Sequence, residues 1–275
     1  MAKITKGVST SDSKYKHVPT IREDKIILDP TVNKYKIDNT YLDRVTSWIN
    51  TFEKPFNPLG VSVGLTSSNN KKGIVNTLTP QQRVHYWNLN SNRATSYGTG
   101  LHIFSEMYDL DPTSTIPMFN KEYAVVKFIK DSSKTYRLIG NELKVYSKRY
   151  KLAGTIDRLI QNIHTGKYCI MDWKTSSDID KTYNKYPKDP FKKYPQCKRS
   201  HYEIQLGTYR LLGNIILDNG RILHIQPDMF EESRIIILKE DRSYNIEMCN
   251  TISLSDIQIA LDERVDPSEE ILIGI

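Results

Sequence analysis

Residues 123 to 175 carry the clearest pattern of the chain. "YAVVKFI" (123–129), "YRLIGNELKVYS" (136–147), "KLAGTIDRLIQNI" (151–163) and "KYCIMDWKT" (167–175) are short runs rich in β-branched and aromatic residues, the composition of strands. "HTG" at 164–166 makes a tight turn between the last two, so the block predicts consecutive antiparallel strands. Helical spacing brackets it. Leu42, Val45, Trp48, Ile49 and Phe52 recur at helical intervals behind Asn39 or Thr40 as a cap, and Pro55 and Pro58 end that helix. Thr79 and Pro80 stand in the order of cap and first turn before 79–110, which predicts two helical segments. After the strands, Ile204, Thr208, Leu211, Leu212 and Ile215 line one side of a helix that Gly220 stops. "RILHIQPD" and "SRIIILK" predict two more strands, and Leu254 to Leu261 a short terminal helix.

These elements predict an α/β fold with a mixed central β-sheet flanked by helices on both faces. Residues 1–38 are polar and without sustained period, which predicts a flexible or loosely docked arm before a single domain at 39–275. "SVGLTSSNNKKGIVNTLTP" predicts a loop or small hairpin around "NNKKG". A polar insertion, 176–200, separates the last meander strand from the following helix.

The chain has 275 residues and a formal net charge of +7, with a sequence pI of about 9.1, which favours a polyanionic partner, nucleic acid or an anionic membrane. No run approaches the roughly 18 apolar residues of a membrane span, and the first residues lack the apolar centre of a secretory signal. A soluble, cytoplasmic protein is expected. Cys169, Cys197 and Cys249 lie far apart, so neither a disulfide framework nor a tetrathiolate metal site is indicated.

Charge placement within the strands raises the chemical question. Alternation puts Asp172 and Lys174 on one side of their strand and Trp173 on the other. Counting back through the turn sets Asp157 roughly across from Asp172, about seven residues from Thr165 on either side. Two facing carboxylates repel unless one is protonated or a cation lies between them, and a hard divalent cation with oxygen ligands is the common remedy. A salt bridge of one aspartate with Lys174 or Arg158 is the plain alternative. Glu142 on the preceding strand, His102 and Glu106 one helical turn apart, and Gln205 and Tyr209 likewise four apart accompany this set.

The ordered blocks "YLDRVTSWI", "GTGLHIFSE", "NELKVYSKRYKLAGTIDRL", "IMDWKTS" and "YEIQLGTYR" resemble the PD-(D/E)XK nuclease superfamily, in its RecB-type exonuclease branch, which includes the mitochondrial genome maintenance exonuclease and phage exonucleases. The resemblance implies that His102, Asp157 and Asp172, with the backbone carbonyl of Trp173, ligate Mg²⁺ or Mn²⁺. Lys174 then orients or helps deprotonate the attacking water and stabilises charge developing on the phosphate. Glu142 matches an acidic residue that supports the metal or its water, and pairing with Lys144 or Lys148 explains it equally. Gln205 and Tyr209 match a "Q-x-x-x-Y" helix that borders the site and contacts substrate phosphate or the catalytic residues, with core packing as the alternative for Tyr209. The implied activity is metal-dependent hydrolysis of DNA phosphodiesters at ends or single-stranded tails, in repair, recombination or replication. A non-catalytic DNA-binding module on the same fold and a structure-selective endonuclease are the competing readings. The cysteine pattern of the family's iron–sulfur members is missing, so no iron–sulfur cluster is expected, and without a P-loop motif any unwinding comes from a separate partner.

The insertion interleaves Lys181, Lys185, Lys188, Lys192, Lys193, Lys198 and Arg199 with Tyr183, Tyr186, Phe191 and Tyr194. Basic groups track phosphates and rings stack bases. The pattern predicts a loop over the cleft that guides a DNA end, with Lys181, Lys185, Tyr186, Lys192 and Lys193 as substrate contacts.

Overall fold

A computed structural model describes residues 25–67, 78–176, 178–182 and 185–265. Its centre is the predicted meander. Strands β4 (Tyr136–Ser147), β5 (Leu152–Asn162) and β6 (Tyr168–Lys174) stand where the pattern put them, antiparallel in sequence order. The turn after β5 is closed by Asn162, whose Oδ1 accepts from the amides of His164 and Thr165.

Two parts of the amino-terminal reading are corrected. Residues 26–37, expected in a loose arm, form the hairpin β1 (Ile26–Asp29) and β2 (Lys34–Ile37), with Tyr35 and Ile37 buried. Thr40–Arg44, expected to open a helix, is strand β3. It pairs antiparallel with β2 and parallel with the start of β5, so long-range ladders override the local helical spacing. Helix α1 is the short Val45–Ile49 that follows, burying Val45, Trp48 and Ile49. The remainder of the arm, and the expected hairpin around "NNKKG", lie outside the described residues.

Pro58, expected to end a helix, opens α2 (Pro58–Ser67). The two segments expected at 79–110 are one helix, α3 (Pro80–Leu110), started by a capping box between Thr79 and Gln82. Its first twenty or so residues are mostly exposed apart from the buried Arg83, and apolar burial sets in at Leu101. "YAVVKFI" is also corrected, from strand to helix: α4 (Asn120–Ser132) begins where the Glu122 carboxylate accepts from the Phe119 amide at 2.9 Å. Ala124, Val125 and Phe128 then bury at helical spacing, which outweighs the β-branched composition.

Helix α5 (Lys198–Leu212) ends at Gly213 rather than Gly220, because Gly213 takes the left-handed conformation (φ 69°) suited to a helix stop. The next residues, with Ile215, form β7 (Asn214–Ile216) along β4. Strand β8 (Ile222–His224) pairs with β7. Strand β9 (Arg234–Leu238) runs parallel to β6, and β10 (Tyr244–Met248), which sequence pattern missed, closes that edge. The terminal helix α6 (Leu254–Asp262) stands as expected, capped by Ser253.

The chain is thus α/β, with a mixed ten-stranded sheet. Helices cover both faces: Phe104, Val125 and Phe128 pack with Met171, Trp173 and Ile236, while Trp48, Ile204, Leu212 and Ile257 pack with Leu143, Ile170 and Ile235. No helix among the described residues is long and apolar enough to cross a membrane.

One edge of β5 changes partner along its length. Leu152 and Ala153 face β3, whereas Arg158 to Gln161 face β6. Between them the sheet forks, and Asp157 sits at the fork. Such a divergence opens a crevice at the ends of strands, the place where sheets of this class hold ligands.

Candidate active site

Register sets three carboxylates in a row. Asn141 pairs with Arg158 and Leu143 with Ile156, so Glu142 lies opposite Asp157. Arg158 pairs with Met171, and one step further along the same ladder Asp157 meets Asp172. Adjacent strands β4, β5 and β6 each contribute one acid. The backbone of Glu142 has φ 50°, a conformation that side chains rarely adopt and that is found where a site demands it. Around it the strand changes direction: Asn141 bonds Asp109 on α3 at 2.8 Å, while Leu143 packs in the cluster beneath α5.

Helix α3 brings the imidazole. His102 Nδ1 lies 3.1 Å from Glu142 Oε1, and Nε2 lies 3.6 Å from Asp157 Oδ2. Ligand atoms of His102, Glu142 and Asp157 all lie within 4.8 Å of one another. Imidazole and carboxylate donors in one cluster fit a divalent ion such as Mn²⁺ or Mg²⁺. Asp172, buried at 3% side-chain exposure, is engaged differently: its Oδ2 lies 2.5 Å from Lys174 Nζ. The Trp173 amide donates to Asp157 Oδ2 at 3.1 Å, and the Trp173 ring packs edge-on against Phe128 on the other side of the sheet.

The electrostatics follow from crowding. Burial, then the Asp172 charge, push the Asp157 carboxyl well above the usual carboxylate range. For His102 burial acts downward, but the Glu142 hydrogen bond and the Asp157 charge carry the imidazole upward overall. Burial likewise opposes the Lys174 ammonium, and the charges of Asp172 and Asp157 more than offset it, so its pKa rises. Lys174 stays a cation. A metal ion in the row would relieve the carboxylate repulsion that these shifts record.

Tyr202 on α5 is a neighbour that sequence reasoning missed. The Lys174 ammonium sits 4.4 Å from the centre of its ring, a cation–π contact. A signal was present in "SHYEIQ", where Tyr202 precedes Gln205 by three positions, but nothing local says which face of α5 meets β6. Lys144 was weighed only as a partner for Glu142. It is half-buried near Glu142 and Glu106, and burial lowers its pKa against their charges.

The other expected contacts divide. Gln205 Nε2 donates to Tyr209 Oη at 3.0 Å, and Tyr209 is buried in the α5-side cluster. Its ring lies against Gly154, where an added Cβ would stand 2.4 Å from Cε1. Tyr209 therefore packs beneath the row, and the expectation that it contacts substrate is corrected to core packing. Glu106 is exposed and lines the cleft above the row, a space of about 690 Å³ also walled by Thr95, Gly98 and Thr99 of α3. From the insertion, Lys181 and Lys185 line a second cleft. Lys192 pairs with Asp189 and Lys193 with Asp256 on α6; neither lines the two clefts, because the chain between 187 and 194 is pinned by Phe191, buried in the core. Tyr186 is exposed and lines neither cleft. Tyr183 lies outside the described residues. Of the two plain partners considered for the aspartates, Lys174 does pair with Asp172, while Arg158 bonds Asp109.

A scan against protein-family models gives no match, and neither does a comparison with curated proteins.

Proposed function

We propose that this chain is a divalent-metal-dependent nuclease of the PD-(D/E)XK type, hydrolysing phosphodiester bonds in DNA as an exonuclease on ends or single-stranded tails. The observation that carries the reading is the row of Glu142, Asp157 and Asp172 across three strands, met by His102 on one side and Lys174 on the other. Two carboxylates buried beside one another need compensating positive charge, and Lys174 supplies it to Asp172 alone at ion-pair distance.

His102, Glu142 and Asp157 would hold Mg²⁺ or Mn²⁺, with Asp172 and the Trp173 carbonyl, which the resemblance implies as ligands, next to them. When bound, the ion neutralises phosphate oxygens and lowers the pKa of water. Lys174, kept protonated by Asp172 and Asp157, donates hydrogen bonds: it orients the attacking water and stabilises charge on the phosphate. Asp172 holds the ammonium in place, and the Tyr202 ring lies against it. Glu106 and Glu142 add negative charge at the cleft, so a bare phosphate is repelled until a cation is present.

The test is incubation of the protein with DNA labelled at either end, single- or double-stranded, with Mg²⁺, Mn²⁺ or EDTA, beside Asp172→Ala and Lys174→Ala. Metal-dependent cutting that both substitutions abolish is the expected outcome, with product order separating end digestion from internal cleavage. DNA binding without cutting under any metal would favour the binding-module reading.

A further inference from the structure

We propose that the second cleft binds unpaired nucleotides of a nucleic-acid strand, as the continuation of the strand whose phosphodiester lies at the acidic row. The inference rests on the nuclease reading for the second half of that statement only. This cleft, of about 620 Å³, falls in the range of ligand pockets, roughly 300–1,000 Å³. It lies between the end of α1, the insertion and the start of α5. Lys198 and Tyr202 line both clefts, so the two spaces adjoin, and a strand lying along both would run past these two side chains. Lys198 reaches across this wall to Ser176 Oγ at 3.1 Å.

Its chemistry suits a single strand. Lys54, Lys181, Lys185 and Lys198 contribute cations against Glu53 and Asp178, and Glu53 is already engaged by His201 Nδ1 at 2.8 Å. Phosphates spaced along a backbone are drawn to such a groove. Phe56 presents a ring that is 61% exposed, with the Lys185 ammonium 6.0 Å from its centre. An exposed ring beside a cation offers a stacking face to an unpaired base. The small cavity, with the rings of Phe56 and Tyr202 in its lining, favours individual nucleotides over a duplex.

The experiment measures binding of a fluorescein-labelled thymidine oligonucleotide by anisotropy, in EDTA to prevent cutting, across a salt series. Phe56→Ala is expected to weaken binding roughly 5- to 100-fold while Phe56→Trp retains it. The Lys181→Ala, Lys185→Ala double variant is expected to reduce the slope of log affinity against log salt by roughly 1.4, near 0.7 for each phosphate that is no longer neutralised. Lys127→Ala, a single charge removed from α4, serves as the control. Unchanged affinity and slope in the cleft variants would overturn the proposal, as would equal loss of binding to a blunt duplex. Hydrolysis of bis(p-nitrophenyl) phosphate with Mn²⁺ by the unaltered protein needs no strand and tests the acidic row separately. If that ester is cut while the cleft variants bind like the parent, the cleft assignment fails and the nuclease reading stands; if it is not cut while Phe56→Ala loses the oligonucleotide, the cleft assignment stands and the nuclease reading fails.

Discussion

The acidic row and the basic insertion are neighbours that put charge in place by different means. In the row, backbone register does the work: once β4, β5 and β6 pair, Glu142, Asp157 and Asp172 can stand nowhere else, since a slip of one residue would turn every side chain over. In the insertion no such ladder acts, and several of the described residues are placed by their own side chains. Phe191 enters the core, Tyr194 bonds Asp256, Lys188 bonds the Thr51 carbonyl, and Lys181 and Lys185 alone of the expected basic contacts line a cleft. The difference teaches that spacing predicts a site when a ladder enforces it, and that composition alone does not aim a loop.

The sharpest way to break this comparison is to remove one charge from each region. Lys174→Ala is expected to lower kcat for DNA cleavage by about 10²- to 10³-fold, the usual cost of losing a donor aimed at developing charge, with a much smaller change in KM. Lys185→Ala is expected to act mainly on KM. Single-turnover cleavage of labelled DNA in Mn²⁺ checks both. An equal loss of kcat from Lys185→Ala would mean that the insertion reaches the chemistry and that the two regions are one.

A second test asks whether Tyr209 belongs to the row's foundation. Gly154→Ala places a methyl 2.4 Å from the Tyr209 ring, so something must move. The expected cost is about 1–3 kcal/mol, as for other overpacked cores, read from urea unfolding. Trimming the ring with Tyr209→Leu in the same chain should recover part of it. Additive losses would show that the two residues do not share one space.

Legibility in the sequence tracked this same divide. The facing of Asp157 and Asp172 was readable because the turn at 164–166 fixes the count on both sides. Glu142 belongs to the same arithmetic, yet strand alternation gave no hint that its backbone would turn to φ 50° and aim it at His102. The helices were less readable where local composition and long-range pairing disagree. "YAVVKFI" has strand composition and is helical because Glu122 caps it and Phe128 needs the sheet. "TYLDR" has helical spacing and is a strand because β2 and β5 offer their edges. The fork at Asp157 depends on β3 and β6 sharing one edge of β5, a fact of topology that no short window contains.

The third test sharpens the electrostatic side. Asp157 is raised in the folded chain, so folding takes up a proton that unfolding releases, and stability falls as pH rises. His102 is raised above its ordinary 6.5, and its contribution is likewise present at low pH and lost as pH climbs through the folded value. Both signs agree: without metal, thermal stability should decline from about pH 5 to 8. Asp157→Asn should flatten the decline and exceed the parent by about 1 kcal/mol at the upper end, since it leaves no charge to bury. Added Mn²⁺ should stabilise the parent increasingly with pH, because ligation displaces protons, and leave Asp157→Asn nearly unmoved. A parent that gains stability between pH 5 and 8 without metal would contradict the crowding described for the row.

The smallest effect belongs to Lys192 and Lys193, and it decides how far the insertion is a binding element at all. Both stand within the basic stretch, but Lys192 pairs with Asp189 and Lys193 with Asp256, and neither lines the space that Lys181 and Lys185 line. If local net charge were what draws a strand, removing these two would weaken binding as much as removing the other pair, because the charge change is the same. If position decides, phosphate contacts and released counterions belong to Lys181 and Lys185, and the salt slope follows them. The Lys192→Ala, Lys193→Ala double variant is therefore expected to bind the thymidine oligonucleotide within about twofold of the parent, the ordinary range of a surface change, with its salt slope intact. A slope reduced as far as in the cleft double variant would return the loop to a diffuse cationic surface and remove the contrast with the row.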